Sequence, residues 1–563
     1  MRNRRVSLWL VFLSFTAVTL FGSSGGPCRN LSSIPSKMAS DSPADLYVDP
    51  VFGDDAHAGT SESTPLRTIS EAWTRATEVL SGSGVRINLM PGTYPCEPDE
   101  ASGDCENYFS NLIGAEDRTV TLRALKGPGT VLIRGGMDIA QVSHVSLLDL
   151  TLQAGGDFPT NASGNNVLHL ADADHILLHG LTLKGPDGIT DMDNTIQEVL
   201  KVNQADHFDL EESDLSGTFQ TVLDYFSVQY GSILRNRIHR SGGRCAYLKG
   251  GSAYFRIDGN EFYDCREAGF QTGEGSDFPV MRPPFLHYEA YDIKIVNNLF
   301  HDIYGAGLSA AGGYDILMAY NTLYRIGLTD EQGRSWALAQ FIHGSRGCTP
   351  TDEIPDPGGV CASLAAQGGW GPDQSAGGQD VIPNRNVFVF NNVFYNPAPA
   401  QTDYQQLTVF ALVDVPPPFV NIPNPSAADD NLRLWGNVIW NGPPDLPLGV
   451  EDPSAGCRDS NPTCNAAQLR ADNTINAVEP LLADPANGDF HPAPGSPLLA
   501  VPSVAIPDFS GDDRPFPPPT PPGDYSNAVS TDRDGRARPA GGPPGAYVRS
   551  AASTHQRPVA PPD

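Results

Sequence analysis

Basic residues are scarce in this 563-residue sequence. There are 36 Lys and Arg against 66 Asp and Glu, which gives a formal net charge of −30. Because nucleic acid and anionic membranes bind through basic side chains, this balance argues against both as partners. A polyanionic glycan is also repelled unless a basic cleft or a divalent cation intervenes, and carboxylate-bound calcium would serve.

Long apolar runs and helical periodicity are equally scarce. The apolar run Leu8 to Phe21 follows Arg2, Arg4 and Arg5, and small residues follow it up to residue 26. This pattern predicts a signal peptide over 1–26, with an uncleaved anchor as the alternative. No second run of spanning length follows. We therefore expect a secreted or cell-surface protein whose mature chain has no transmembrane span.

Several catalytic signatures are missing as well. The sequence has no P-loop, no paired CxxC and no HExxH. These absences argue against nucleotide-dependent, thiol-redox and metalloprotease chemistry of those classes. Evidence on function must therefore come from a pattern that is repeated along the chain.

That pattern is a phrase of six residues: apolar, two residues, Asn, any residue, apolar. It recurs around Asn236, Asn260, Asn298 and Asn321, with separations of 24, 38 and 23 residues. A period in the low twenties is typical of a solenoid, in which each coil buries its apolar face against the next. The phrase extends downstream to Asn392 and Asn437. Upstream, Leu or Ser replaces Asn at Leu150, Leu181 and Ser213.

The phrase therefore predicts nine coils, with earlier strands near Val85–Leu89 and Val120–Leu122. The expected fold is all-β, a parallel β-helix with stacked Asn side chains inside. A short helix over Thr68–Val79 is predicted to cap its N-terminal end. We expect a linker over 27–44, the solenoid over 45–500 with loop insertions near 275–290 and 327–380, and a Pro-rich closing segment and tail over 501–563.

The nine cysteines fit an oxidising compartment. Three close pairs predict local disulfides: Cys96 with Cys105, Cys348 with Cys361, and Cys457 with Cys464. Cys245 and Cys265 stand at offsets +9 and +5 from the Asn of their coils, so we expect them not to stack and Cys265 to be a buried thiol. Cys28 follows the signal segment. A lipid anchor there is an open alternative, although residues 25–27 match a lipobox poorly.

Both ends and the coils resemble secreted proteins of the pectate-lyase-like superfamily. The opening around Tyr47–Asp55, the Thr68–Ala72 helix start and the GDFH phrase of 488–491 followed by GSP at 495–497 carry the likeness. The resemblance implies a right-handed parallel β-helix. It also implies a carbohydrate-active protein that binds a polysaccharide in a groove along one face, and we expect a monomer.

Coil counting places ionisable residues in register. Offset +11 stacks Asp224, Tyr247, Gln271 and Ser309, and Lys249 lies one pleat away beside Glu274. The resemblance to uronic-acid lyases implies two requirements: a base, and a cation, often calcium, that neutralises the sugar carboxylate. On this basis Lys249 is the predicted base and Arg244 its partner. Oxygen ligands for calcium are predicted at Asp224, Glu267, Glu274 and Asp277, and substrate contacts at Tyr247, Gln271, His287 and Tyr288.

Two alternatives remain open. A polygalacturonase-like hydrolase needs paired acids, but its Asn-x-Asp, Asp-Asp and Gly-His-Gly phrases are missing from the central coils, and the Asp-Pro-His-Glu phrase of alginate epimerases is absent from the chain. A non-catalytic glycan-binding, cell-surface or matrix protein is the other alternative. It predicts aromatic side chains along the groove and charges that diverge, whereas an enzyme requires the charges to converge.

Overall fold

A computed structural model of the chain describes residues 43–550, except for 81, 97–106, 156–164, 191–194, 278–287, 331–332, most of 348–380, 403, 416–420, 510–518 and 524. The predicted signal segment, Cys28 and His287 lie outside the described residues. No helix in the part of the chain described here is long and apolar enough to cross a membrane.

The chain winds into a parallel β-helix with three strand-bearing faces, which confirms the predicted fold class. The first sheet contains Tyr108–Ser110, Thr221–Phe226, Arg244–Lys249, Ala268–Thr272, Ala306–Ala311, Ala339–Ile342 and Leu407–Val409. The second contains Ala44–Val48, Val85–Leu89, Val120–Ala124, Gln229–Leu234, Ser252–Asp258, Ala290–Val296, Gly313–Ala319, Arg385–Phe390 and Arg433–Trp435. Three long strands run through both sheets: Met137–Leu148, Asn166–His179 and Glu198–Glu211.

The third sheet closes each coil. It contains Gly92–Tyr94, Val131–Arg134, Thr151–Gln153, Thr182–Lys184, Asp214–Thr218, Arg237–Ser241, Glu261–Cys265, Leu299–Ile303, Thr322–Ile326, Val393–Tyr395, Val438–Trp440 and Thr474–Ile475. Two small sheets pair Gly275–Asp277 with Ser345–Gly347, and Leu482–Asp484 with Asp489–Pro492. All nine predicted phrases lie where a second-sheet strand turns into a third-sheet strand, because Asn and its equivalents occupy that turn.

The turn Asn side chains form the predicted internal ladder. Asn260 Oδ1 accepts hydrogen bonds from the backbone N and the Nδ2 of Asn236, at 2.9 and 3.0 Å. The same pair of bonds repeats from coil to coil along Asn260, Asn298, Asn321, Asn392, Asn437 and Asn473. The ladder satisfies buried backbone donors that no strand pairing reaches. It therefore fixes the vertical register of the coils.

The predicted cap is the helix Ile69–Val79. The Thr68 hydroxyl accepts the Glu71 backbone N–H at 3.1 Å, an N-cap that begins the helix. The buried side chains of Ile69, Ala72 and Trp73 face the first coils. The helix covers the apolar end of the stack, which would otherwise expose its core. Further helical segments are Ala466–Asp472 and the 3₁₀ turns Pro485–Asn487 and Pro497–Ala500.

The segment predicted as a loop over 327–380 contains part of a coil. Ala339–Ile342 pairs with Ala306–Ala311 on one side and with Leu407–Val409 on the other. Beyond residue 500 the chain returns along the outside of the coils. Val504 N donates to Asn391 Oδ1 at 2.9 Å, so this closing segment is fastened to the side of the stack.

The expected free thiol at Cys265 is wrong, because Cys245 and Cys265 form a disulfide. Cys265 does share its column with Ile303, as predicted. The bond, however, joins the start of a first-sheet strand to the end of a third-sheet strand on the next coil, across the turn, with the Cα atoms 5.5 Å apart. Counting along one face could not show this contact.

Of the predicted local pairs, Cys457–Cys464 is confirmed. Cys96 is disulfide-bonded, but its predicted partner Cys105 lies outside the described residues, as do Cys348 and Cys361. Disulfides such as these are typical of proteins from oxidising compartments.

Candidate functional site

The predicted polar column runs along the first sheet. Asp224 pairs with Tyr247, Tyr247 with Gln271, and Gln271 with Ser309, as coil counting predicted. Adjacent strands of a sheet lie about 4.8 Å apart, so these side chains are vertical neighbours. The column also continues upstream, to Lys201 on the strand Glu198–Glu211.

Lys249 and Arg244 meet at one carboxylate. Glu274 Oε2 lies 2.8 Å from Lys249 Nζ, and Glu274 Oε1 lies 3.2 Å from Arg244 Nη2. Arg244 also reaches the exposed carboxylate of Glu267 at 3.2 Å. The Lys249 side chain is 13% exposed, so its ammonium is confined but reaches the surface. Charges from two neighbouring coils therefore converge.

Tyr247 connects this group to a second lysine. Its hydroxyl accepts a hydrogen bond from Lys249 Nζ at 3.2 Å and donates to Asp224 Oδ2 at 3.0 Å. The same oxygen of Asp224 contacts Lys201 Nζ, although the Asp224 side chain is fully buried. We call Lys201, Asp224, Arg244, Lys249 and Glu274 the charged row.

Burial and neighbouring charges set the protonation of these groups. Burial lowers the pKa of Lys201 to about 8, and the nearby Lys249 ammonium acts in the same direction. Burial opposes ionisation of Glu274, but Lys249 and Arg244 outweigh it and lower the pKa of Glu274. Burial raises the pKa of Tyr247 above its ordinary value, so the phenol stays protonated. An amine that titrates near neutral pH and a protonated phenol thus lie within one network.

A buried carboxylate positions the turn after Lys249. Glu289 Oε2 accepts the backbone N–H of Gly250 at 2.9 Å and the Ser276 hydroxyl at 2.8 Å. Glu289 is fully buried. Its two hydrogen bonds join the end of the Lys249 strand to the segment that carries Glu274. Fixed backbone on both sides restricts the relative motion of the two charges.

The predicted calcium ligands do not fit a calcium site in this arrangement. Asp224 Oδ2 contacts Lys201, both oxygens of Glu274 face cations, and Glu267 pairs with Arg244. Calcium takes six to eight oxygen ligands, about 2.3–2.6 Å away. Ammonium and guanidinium groups occupy the positions where the ion would bind these carboxylates. Nothing is described of the Asp277 side chain, and calcium stays a prediction.

The residues predicted to contact substrate lie in two different places. Tyr247 and Gln271 lie within the network but are almost fully buried, so they support the charged side chains. Tyr288 is also buried and stacks on Tyr314 of the second sheet, with ring centroids 4.4 Å apart. Its ring therefore packs with tyrosines of the second sheet. Contacts between these residues and a sugar stay predictions.

Sequence reasoning missed the upstream half of the site. Lys201 also approaches Glu198 at 4.0 Å, and burial raises the pKa of that carboxyl. One coil earlier, His169 Nδ1 lies 2.9 Å from the buried Asp138. A 23-residue step back from Asp224 would have found Lys201. Counting forward from Leu181 does not find Lys201, because the coil between Leu181 and Ser213 is longer than that step.

Comparison with known proteins identifies the coils. Residues 179–335 match the family model described as "Right handed beta helix region". No curated protein matches the sequence. Solved structures with a similar fold include pectate lyase Pel9A (13% identity, TM-score 0.32, covering 55% of this chain and 78% of that one) and a rhamnogalacturonan lyase (10%, 0.37, 70% and 87%). Another is the mannuronan C-5 epimerase AlgE4 A-module of Azotobacter vinelandii (11%, 0.31, 60% and 89%). At these identities and TM-scores the likeness says nothing about the activity of this chain.

Proposed function

We propose that this right-handed parallel β-helix protein is a secreted carbohydrate-active enzyme that cleaves uronic-acid polymers by β-elimination at the charged row. One observation carries the proposal: Lys249 and Arg244 converge on Glu274 at the surface of a single sheet. Converging charges are what an enzyme requires, whereas a binding surface needs no such network. The Cys245–Cys265 and Cys457–Cys464 disulfides support secretion.

The charged row offers local positive charge on an acidic protein. Its two lysines and its arginine stand on two strands of the first sheet, Glu198–Glu211 and Arg244–Lys249, and the strand that carries Asp224 lies between them. A chain of acidic sugars laid along this face would place its carboxylates beside those cations, which offset the repulsion of the −30 net charge. A polyuronate is therefore favoured over a neutral glycan.

β-Elimination needs no cofactor. A neutral lysine amine removes the proton from C5, α to the sugar carboxylate, and becomes an ammonium. The electron pair forms the C4–C5 double bond, the C4–O bond breaks, and the departing oxygen takes a proton from solvent. Arg244 would hold the carboxylate as negative charge spreads onto it in the transition state.

Two lysines are candidates for the base. Lys249 is the predicted one, and its ammonium must first lose a proton and leave Glu274 before the neutral amine can act as the base. Lys201 has the pKa of about 8, so a substantial fraction is neutral at pH 7.5–8.5. If Lys201 is the base, the rate rises with pH towards about 8. Single Lys→Met variants separate the two, because the Met side chain is unbranched and of similar length but has no amine.

The test is incubation with pectate, alginate and other uronic-acid polymers, alongside a neutral glycan, while the absorbance of the unsaturated product is followed. We expect product from a polyuronate, and a loss of 10²-fold or more for Lys249→Met or Lys201→Met. Lys184→Met, on an exposed third-sheet lysine, is the matched control and is expected to keep full activity. A parallel arm with a calcium chelator tests the calcium prediction. If wild type leaves every polymer intact, the lyase proposal is wrong.

The alternative is non-catalytic glycan binding. It is favoured if wild-type protein is retained on an immobilised polyuronate and releases no unsaturated product, and if Arg244→Gln weakens that retention. The same panel therefore distinguishes both functions.

A further inference from the structure

A ladder of histidines occupies a corner of the β-helix away from the third sheet. At the bend between the first and second sheets, His144, His175 and His207 have left-handed backbone, with φ of 56°, 54° and 53°. Their rings stack, with centroids 4.4 Å apart for the first pair and 4.2 Å for the second. Coil stacking thus brings side chains about 32 residues apart in sequence into direct contact.

One carboxylate lies between two of these imidazoles. Asp174 Oδ2 is 2.9 Å from His175 Nδ1, and Asp174 Oδ1 is 3.2 Å from His207 Nδ1. The three donor atoms lie within 4.8 Å of one another. The side chains of Asp174, His175 and His207 are 42%, 39% and 50% exposed, so the cluster is open to solvent. It is a small group of nitrogen and oxygen donors at the surface.

This donor set fits a borderline divalent cation. Imidazole nitrogens and carboxylate oxygens bind zinc at about 2.0–2.2 Å, which puts tetrahedral ligand atoms roughly 3.3 Å apart. The two contacts of Asp174 are close to that spacing. The stacked rings of His175 and His207 must turn towards each other for both Nδ1 atoms to face one ion. Calcium is disfavoured here, because hard cations prefer all-oxygen sites.

We propose that Asp174, His175 and His207 bind a zinc-class divalent cation, with a fourth position open to water or to an external ligand. The site is separate from the calcium predicted at the charged row and does not depend on the lyase proposal. By joining two consecutive coils, the ion stabilises the folded protein over the unfolded chain.

The second possible donor cluster does not compete. Asp429, Cys457 and Cys464 also lie close together. Both cysteines of that cluster are consumed in a disulfide, which leaves a single carboxylate. The prediction is therefore one bound zinc per chain among the residues that the structure describes.

The test uses zinc ions alone. Full-length protein stripped with a chelator is titrated against a chromogenic zinc indicator, and its thermal midpoint is recorded with and without zinc. We expect one equivalent to bind and the midpoint to rise. Asn variants are chosen because Asn tolerates left-handed backbone. His175→Asn and His207→Asn are each expected to weaken binding at least tenfold and to remove the zinc-induced rise.

His239→Asn is the matched control. His239 also contacts an aspartate, Asp214 at 2.9 Å, but the other oxygen of that carboxylate pairs with the guanidinium of Arg237. We expect this variant to bind zinc like wild type. The proposal is overturned if wild type shows no saturable binding, or if a folded double variant His175→Asn/His207→Asn binds as tightly as wild type. Far-UV circular dichroism establishes that each variant is folded.

Discussion

Truncating one rung of the Asn ladder tests the structural basis of the site. Asn298 is fully buried. Its Oδ1 accepts the backbone N and Nδ2 of Asn260 at 2.8 and 3.0 Å, and its Nδ2 donates to Ile257 O and Asn321 Oδ1 at 2.9 and 3.0 Å. Asn298→Ala removes all four hydrogen bonds, and the alanine methyl group offers no acceptor to the donors of Asn260.

The expected cost follows from what is left unpaired. The Asn260 backbone N–H loses its acceptor outright. The Asn260 side-chain Nδ2 keeps its bond to Ile233 O at 2.7 Å, and Asn321 Oδ1 keeps the Asn298 backbone N–H at 2.9 Å. A buried unsatisfied group costs about 1–3 kcal/mol, and the weakened bonds add to this. We expect the free energy of unfolding to fall by about 3 kcal/mol.

The measurement is urea unfolding of wild type and Asn298→Ala, combined with hydrogen exchange at the backbone amide of Asn260. Exchange at that amide is expected to accelerate, because its protecting bond is gone. Asn487→Ala is the control, since Asn487 is exposed and its loss costs no more than about 0.5 kcal/mol. If Asn298→Ala stays within about 1 kcal/mol of wild type and the Asn260 amide remains protected, the ladder does not hold the coils as described.

Two further predictions concern covalent and ionic links between coils. Replacing Cys245 and Cys265 with Ala opens a 20-residue loop constraint, and the chain-entropy relation gives a loss of about 3 kcal/mol in urea unfolding; an unchanged midpoint would contradict this. His301 contacts Glu261 at 3.2 Å and Asp302 at 2.8 Å, and although burial opposes its charge these carboxylates raise the pKa of His301. Its stabilising contribution is therefore complete below the unfolded pKa of about 6.5 and is lost as the pH rises through the higher folded value. Wild type should exceed His301→Gln in unfolding free energy by more at pH 6 than at pH 9, and an equal difference at both would refute the assignment.

The period of the chain determined most of the architecture. Strands of one sheet stack at a fixed spacing, so residues one coil apart in sequence become neighbours in space. Asn236, Asn260 and Asn298 therefore predicted the internal ladder, and the column through Asp224, Tyr247 and Gln271 followed from the same counting. The capping helix was also visible, because its apolar spacing and Thr68 are local features.

Contacts between different faces were decided only by the tertiary structure. The Cys245–Cys265 bond crosses a turn, and the Glu289 bonds to Gly250 and Ser276 join separate segments.

The sequence by itself thus determined that the coils form and which residues share a column, because both depend on periodicity. Whether charges in adjacent columns pair with one another, and so leave little room for calcium, depended on side-chain directions and burial. Those are properties of the packed coils, and no spacing along the chain encodes them.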